Sequence, residues 1–225
     1  MANTLYIATQ RNYSSWSLRP WLVLRWAGVK FDEVEVDLAQ PGYGQAQISG
    51  VKAVSPNGLV PALHVDGTVI WDTLAIAEWV AEQVPALWPR DAMARAQARA
   101  ATAEMHSGFT AIRRDMSMNI LRRWTAPALA TDTQANLDRL FELWRDCRSK
   151  HGADGPWLFG ERSIADAFYL PIATRLRTYG IALDPICQVW CDTALADTDF
   201  LHWESLCVPE SWDRPGYAVI DGLYR

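Results

Sequence analysis

Ser55-Pro56-Asn57-Gly58-Leu59-Val60-Pro61-Ala62-Leu63 runs directly into His64-Val65-Asp66-Gly67-Thr68-Val69-Ile70-Trp71-Asp72-Thr73-Leu74-Ala75-Ile76. Ala62–Val65 and Thr68–Ile70 are short apolar runs on either side of Asp66-Gly67, a turn pair that favours a tight antiparallel hairpin. Pro61 enters the first strand without an N–H to give the ladder, which marks an edge or a special turn. A cis Val60–Pro61 bond would turn the N–H and C=O of Val60 outward, ready to pair with an extended peptide-like ligand. After the hairpin, Leu74, Ala77, Ala81 and Val84 recur at helical spacing, so Asp72 and Thr73 open a helix. There they either cap that helix or hold the ammonium and carboxylate of a ligand.

Towards the N-terminus, Leu5-Tyr6-Ile7-Ala8 reads as a buried strand. Leu18, Trp21, Leu22 and Arg25 place a helix over Ser17–Ala27, stopped by Gly28. Val34 and Val36 alternate with Glu33, Glu35 and Asp37, the pattern of a strand with one wet face. Gln40-Pro41-Gly42-Tyr43-Gly44 is loop, followed by a weakly patterned stretch to Ser55. Between first strand and first helix lies Asn12-Tyr13-Ser14-Ser15-Trp16-Ser17. A hydroxyl here is either an N-cap or a donor to an anion at the helix N-terminus, where free N–H groups and the macrodipole favour negative charge.

Beyond Pro85 the strand signals stop. Asp91 to Ile112 is rich in helix formers, with Gly108 as a bend. Thr131-x-x-Gln134 has the form of a capping box, and Leu137, Leu140, Phe141, Trp144 and Cys147 trace one face of the helix behind it. Ser163-x-x-Asp166 is a second box, opening a helix through Ala167, Leu170, Thr174 and Leu176. The tract after Asp184 carries Trp190, Trp203 and Trp212 with Pro209 and Pro215, and reads as a helix and a wrapping tail. Its tryptophans either join the core or roof a pocket.

Composition narrows the function classes. The 225 residues carry a net charge of −5, which argues against nucleic acid as the main partner, since phosphate binding needs a concentrated positive face. No run approaches the ~20 apolar residues of a membrane span, and the N-terminus lacks the pattern of a secretory signal. Cys147, Cys187, Cys191 and Cys207 form no CxxC pair, and the four histidines have no metal-ligand spacing. Buried, reduced thiols in a cytoplasmic protein are the expectation, with no metal.

In their order and spacing, the Ser14, Val60-Pro61, Asp72-Thr73 and Ser163–Asp166 segments resemble the cytosolic glutathione transferases across nearly the whole chain. The Ser14-Ser15-Trp16-Ser17-Leu18-Arg19 run is most similar to the serine-type classes, zeta in particular with theta beside it. The resemblance implies a thioredoxin-like α/β domain over residues 1–84, a linker over 85–90, and an all-helical domain over 91–225 that contributes the electrophile pocket. It implies glutathione as co-substrate, a homodimer and a detoxifying role. Ser14 would donate to the glutathione sulfur, with Ser15 as the alternative. Val60 would pair with the cysteinyl backbone, Asp72 and Thr73 would hold the γ-glutamyl end, and Asp166 would be a structural cap.

Some positions depart from the family pattern. Trp16 stands where the zeta motif has cysteine, and Leu18 where it has tryptophan. Leu59 replaces the long polar residue usual before Val-Pro, which leaves Lys52 as the partner for the glycyl carboxylate. The arginine with which zeta isomerases hold maleylacetoacetate aligns with Thr178, Arg175 and Arg177 being out of register. For the electrophile pocket the resemblance points to Tyr13 and Trp16 on one side and the Arg113–Arg123 region, Arg114 and Met118 above all, on the other. Those arginines read equally as a solvated helix face. The resulting expectation is addition of the glutathione thiolate to a small hydrophobic or aromatic electrophile. A glutathione-dependent isomerase, lyase or dehalogenase, and a non-catalytic binding module, are the alternatives.

Overall fold

The computed structural model describes residues 3–125 and 128–208. Strand β1 (Asn3–Ala8) is followed by helix α1 (Ser15–Trp26) and strand β2 (Phe31–Val36), which lies parallel to β1. A loop and the single turn α2 (Ser49–Lys52) lead into the hairpin of β3 (Ala62–Val65) and β4 (Thr68–Ile70), both antiparallel to their neighbours. The sheet order is β2-β1-β3-β4. Asp66 and Gly67 both have positive φ, 48° and 80°, as the tight turn between twisted strands requires. The Val60–Pro61 bond is cis, as is Trp71–Asp72.

From α3 (Thr73–Gln83) onward the described chain is helical: α4 (Ala92–Ser107), α5 (Thr110–Asp115), α6 (Thr131–His151), α7 (Ile164–Thr178), α8 (Pro185–Leu195) and α9 (Thr198–Ser205). This is a thioredoxin-like sheet domain joined to a helical one. Every residue of α7 except Arg177 is buried, so α7 is the central helix around which its neighbours pack. Helix α1 lies between the halves, against α3 on one side and α7 and α9 on the other. Trp21, Trp144, Trp190 and Trp203 are fully buried and belong to the core; Trp212, Pro209 and Pro215 lie outside the described residues.

Several local expectations are corrected. Helix α1 begins at Ser15, not Ser17, because Ser14 takes the cap position. On β2 the alternation is absent: Phe31 and Val36 at its ends are half-buried, while Asp32, Glu33, Val34 and Glu35 are exposed. The buried Arg11 guanidinium pairs with Glu33 and Glu35 at 2.6 and 2.8 Å, and the Trp21 indole N–H donates to Glu33 at 2.7 Å. Gly108 ends α4 rather than bending it, and Phe109 follows with φ of 54° before α5. The Thr131 box does not form: Ala130 is the N-cap, so Thr131 lies inside the helix. The α3 stripe turns slightly, burying Ile76, Ala77, Val80 and Ala81 rather than Leu74 and Val84.

The second box does close. The Asp166 carboxylate accepts from the Ser163 N–H at 2.8 Å, the Ser163 hydroxyl at 3.0 Å, the Leu158 N–H at 3.0 Å and the Trp190 indole at 2.8 Å. Burial pushes this carboxyl above the usual range, and these donors oppose that shift. Cys147, Cys187, Cys191 and Cys207 are all free and buried. Burial pushes the thiols of Cys147 and Cys187 up to about 12. No helix among the described residues is long and apolar enough to cross a membrane.

Candidate functional site

The parallel β1–β2 pair and the cis Val60–Pro61 bend bring the start of α1 beside the entry to β3. Between them lies a cavity of about 220 Å³, lined by Tyr13, Ser14, Trp16, Tyr43, Leu59 and Val60 among others. All its lining residues are uncharged. Ser14 caps α1, its oxygen accepting from the Ser17 N–H at 3.3 Å. The Ser14 and Ser17 hydroxyls are hydrogen-bonded at 2.8 Å, and the oxygen of the fully buried Ser17 accepts from the Ala8 N–H at 3.1 Å. Ser14 therefore caps the helix and also lines the cavity. Ser15 is buried as the first residue of α1 and is not in the cavity wall.

Two strands away, Asp72 caps α3. Its Oδ1 accepts from the N–H groups of Leu74 and Ala75 at 3.0 and 3.4 Å, and its Oδ2 lies 3.0 Å from His106 Nε2. The β3–β4 pairing joins Leu63 to Ile70; continued two residues, it sets Pro61 level with Asp72. Asp72 is not in the cavity wall; His106, which meets both Asp72 and the edge of the Trp16 ring, links it to that wall. Thr73 is fully buried and its hydroxyl donates to the Trp16 carbonyl at 3.1 Å. That bond ties the start of α3 to the start of α1.

The aromatic wall of the site is braced from the helical half. The guanidinium carbons of Arg19 and Arg113 lie 4.9 and 5.0 Å from the Trp16 ring centre, and His106 meets the ring edge at 5.4 Å. Burial holds Arg19 well below the usual arginine range, with repulsion from Arg113 and Arg175 acting in the same sense. Arg113 is anchored by donating to the carbonyls of Gly108 and Met105.

The structure brings Tyr13, Ser14, Trp16 and Val60 together, with Asp72 linked to them through His106. It does not bring Arg114 or Met118 to this cavity. Arg114 is exposed and paired with Asp115 and Asp132, and Met118 is fully buried in the core. From this segment Arg113, one residue earlier, joins Arg19 at the Trp16 ring, because the short α5 turns its neighbours to opposite faces. Lys52 donates to Gln47 at 3.1 Å and is not in the cavity wall. Thr178 is buried with its hydroxyl on the Asn119 carbonyl, and Arg175 and Arg177 donate to Met116 and to Ile120 and Glu204. Sequence reasoning missed Ser17 and His106. Ser17 sits inside the quoted serine run, whereas nothing local marks His106, whose importance comes only from the docking of α4 on α3. Among the described residues no group of three or more His, Cys, Asp or Glu side chains is placed to hold a metal ion.

Comparison with known proteins agrees with this geometry. The model of the glutathione S-transferase N-terminal domain matches residues 13–83. A maleylacetoacetate isomerase of Pseudomonas aeruginosa is 27% identical over 186 residues, covering 77% of this chain and 82% of that protein. A maleylpyruvate isomerase of a Ralstonia species is 27% identical over 183 residues, covering 77% of this chain and 85% of its own length. Among solved structures, a glutathione transferase homolog from Burkholderia BGR1, with bound glutathione, superposes with a TM-score of 0.70 at 23% identity. That match covers 91% of this chain and 97% of the homolog. The family model thus matches the sheet half of the chain, and the solved homolog shares its fold through the helices behind it.

Proposed function

We propose that the chain binds glutathione along Val60, keeps its sulfur anionic with the Ser14 hydroxyl, and adds the thiolate to an electrophile. The observation that carries this reading is the position of Ser14: a helix-capping hydroxyl that also forms part of a cavity wall shared with Val60. A free thiol is mostly protonated at neutral pH, and the thiolate is the nucleophile. Serine is too weak an acid or base to take that proton itself. It can donate a hydrogen bond to S⁻ at a helix N-terminus, which favours the charged form. Lowering the thiol pKa by about two units needs roughly 2.7 kcal/mol, the size of one charge-assisted hydrogen bond.

The other residues fit the tripeptide. The Asp72 carboxylate, with His106 behind it, suits the γ-glutamyl ammonium, and the positive end of the α3 dipole suits its carboxylate. The Thr73 hydroxyl already donates to Trp16, so Thr73 contributes its backbone and remaining lone pairs. Tyr13 and Trp16 form the side on which an acceptor would approach. Arg114 and Met118 drop out of the acceptor site, given where they lie. By the same family resemblance the protein works as a cytoplasmic homodimer.

A glutathione-dependent isomerase is the second reading, favoured by the names of the Pseudomonas and Ralstonia relatives. The cavity wall is uncharged, Arg175 and Arg177 are bonded inward, and Arg19 and Arg113 are held against the Trp16 ring, so transfer is preferred to isomerisation of a dicarboxylate. The test is conjugation of glutathione to a generic aryl halide. Ser14→Ala should lower kcat/KM by about 100-fold near neutral pH, the cost of those two units, with glutathione affinity within a few-fold. Full activity in the folded variant rejects the assignment.

A further inference from the structure

We infer that this protein does not read the charge at the C-terminal end of its thiol substrate, and that Leu59 sets this tolerance. The inference rests on the placement of glutathione proposed above. With the γ-glutamyl end at Asp72 and the cysteinyl backbone on Val60, the third residue must run the other way, past Leu59. The protein backbone there leads from Gly58 to the loop before α2: a Cβ added at Gly58 would come within 2.4 Å of the Ala46 carbonyl oxygen. The C-terminal end of the ligand therefore falls among Leu59, Tyr43, Gly44 and Ala46, all in the wall of the cavity.

No cation waits there. Leu59 is 53% exposed and apolar, and the Lys52 ammonium is turned to Gln47, outside the wall. Gln10, the long polar side chain of that wall, is occupied at both ends, donating to Asp37 at 2.6 Å and accepting from the Leu38 N–H at 3.1 Å. A terminal carboxylate in this place gains no ion pair, so removing its charge loses little. The substrate class is accordingly a γ-glutamyl-cysteinyl thiol whose third residue ends in a carboxylate or in a neutral ester or amide.

The test is calorimetric titration of the full chain with glutathione and with its glycyl ethyl ester. The two Kd values should lie within about threefold, because one exposed ion pair is worth at most about 1 kcal/mol, or roughly fivefold. Leu59→Lys should tighten glutathione by up to that fivefold and leave the ester unchanged. Glutathione binding more than threefold tighter than the ester in the unaltered protein overturns the inference while leaving the site reading intact. Equal tightening of both ligands by Leu59→Lys removes Leu59 from the role. Failure of both ligands to bind overturns the site reading and the inference together.

Discussion

Ser14 cannot act alone. If its proton is to point at a sulfur, the hydroxyl of Ser17 must donate to Ser14 while accepting from the Ala8 N–H, and the observed distances of 2.8 and 3.1 Å allow that chain. Each donor in such a series polarises the next. Ser17→Ala should therefore raise the thiol pKa read from the pH profile of kcat/KM by about half a unit to one unit, on the order of 1 kcal/mol. A lower Tm with an unmoved profile would make Ser17 a strut and nothing more. The cap role of Ser14 was legible in the sequence because serine before a helix has few physical uses. Ser14 and Ser15 were indistinguishable there, since their difference lies in where the first helical turn begins, and cap geometry decides that. The choice of Arg114 and Met118 failed for a related reason: after the left-handed Phe109, the phase of the helical face could not be carried forward from α4.

At the scale of elements, Asp166 accepts four hydrogen bonds inside the helical half. It joins the start of α7, the preceding turn at Leu158 and Trp190 of α8 in one buried set of bonds. Asp166→Ala would leave two backbone N–H groups and an indole N–H without partners, each costing about 1–3 kcal/mol. The expected loss is about 3 kcal/mol or more, a fall in Tm of roughly 6–12 °C for a chain of this size, read by thermal unfolding. A fall under about 2 °C would mean that water or backbone shifts replace the bonds. This box was readable because Ser163 and Asp166 precede an apolar run buried on all sides. The box at Thr131 was misread because its cap position fell on Ala130, and a box pattern cannot by itself fix the phase of a helix whose start is exposed. The β2 alternation misled for another reason. Arg11, twenty-two residues before Glu33, pairs with Glu33 and Glu35, and no local pattern records a long-range ion pair.

For the molecule as a whole, the loop carrying the site is clamped by the helical half. The Asn12 side chain donates to Asn119 at 2.9 Å and accepts from the Leu121 N–H at 3.0 Å, and the Trp203 indole donates to the Arg11 carbonyl at 3.3 Å. The helical half thus fixes the position of Ser14 without touching it. Asn12→Ala strands the Asn119 amide and the Leu121 N–H, a cost of about 2–4 kcal/mol. Amide exchange should accelerate together in residues 13–17 and 116–121; acceleration in one segment alone would show that the clamp is not shared. The two-domain order was visible in the change from strand to helix signals near Pro85, whereas this coupling came only with the fold. The central claim is electrostatic and can be measured directly by following thiolate absorbance of bound glutathione as pH is raised. The bound thiol should ionise about two units below free glutathione, and Ser14→Ala should abolish most of that shift. A bound thiol that ionises no more readily than in free solution would contradict the account.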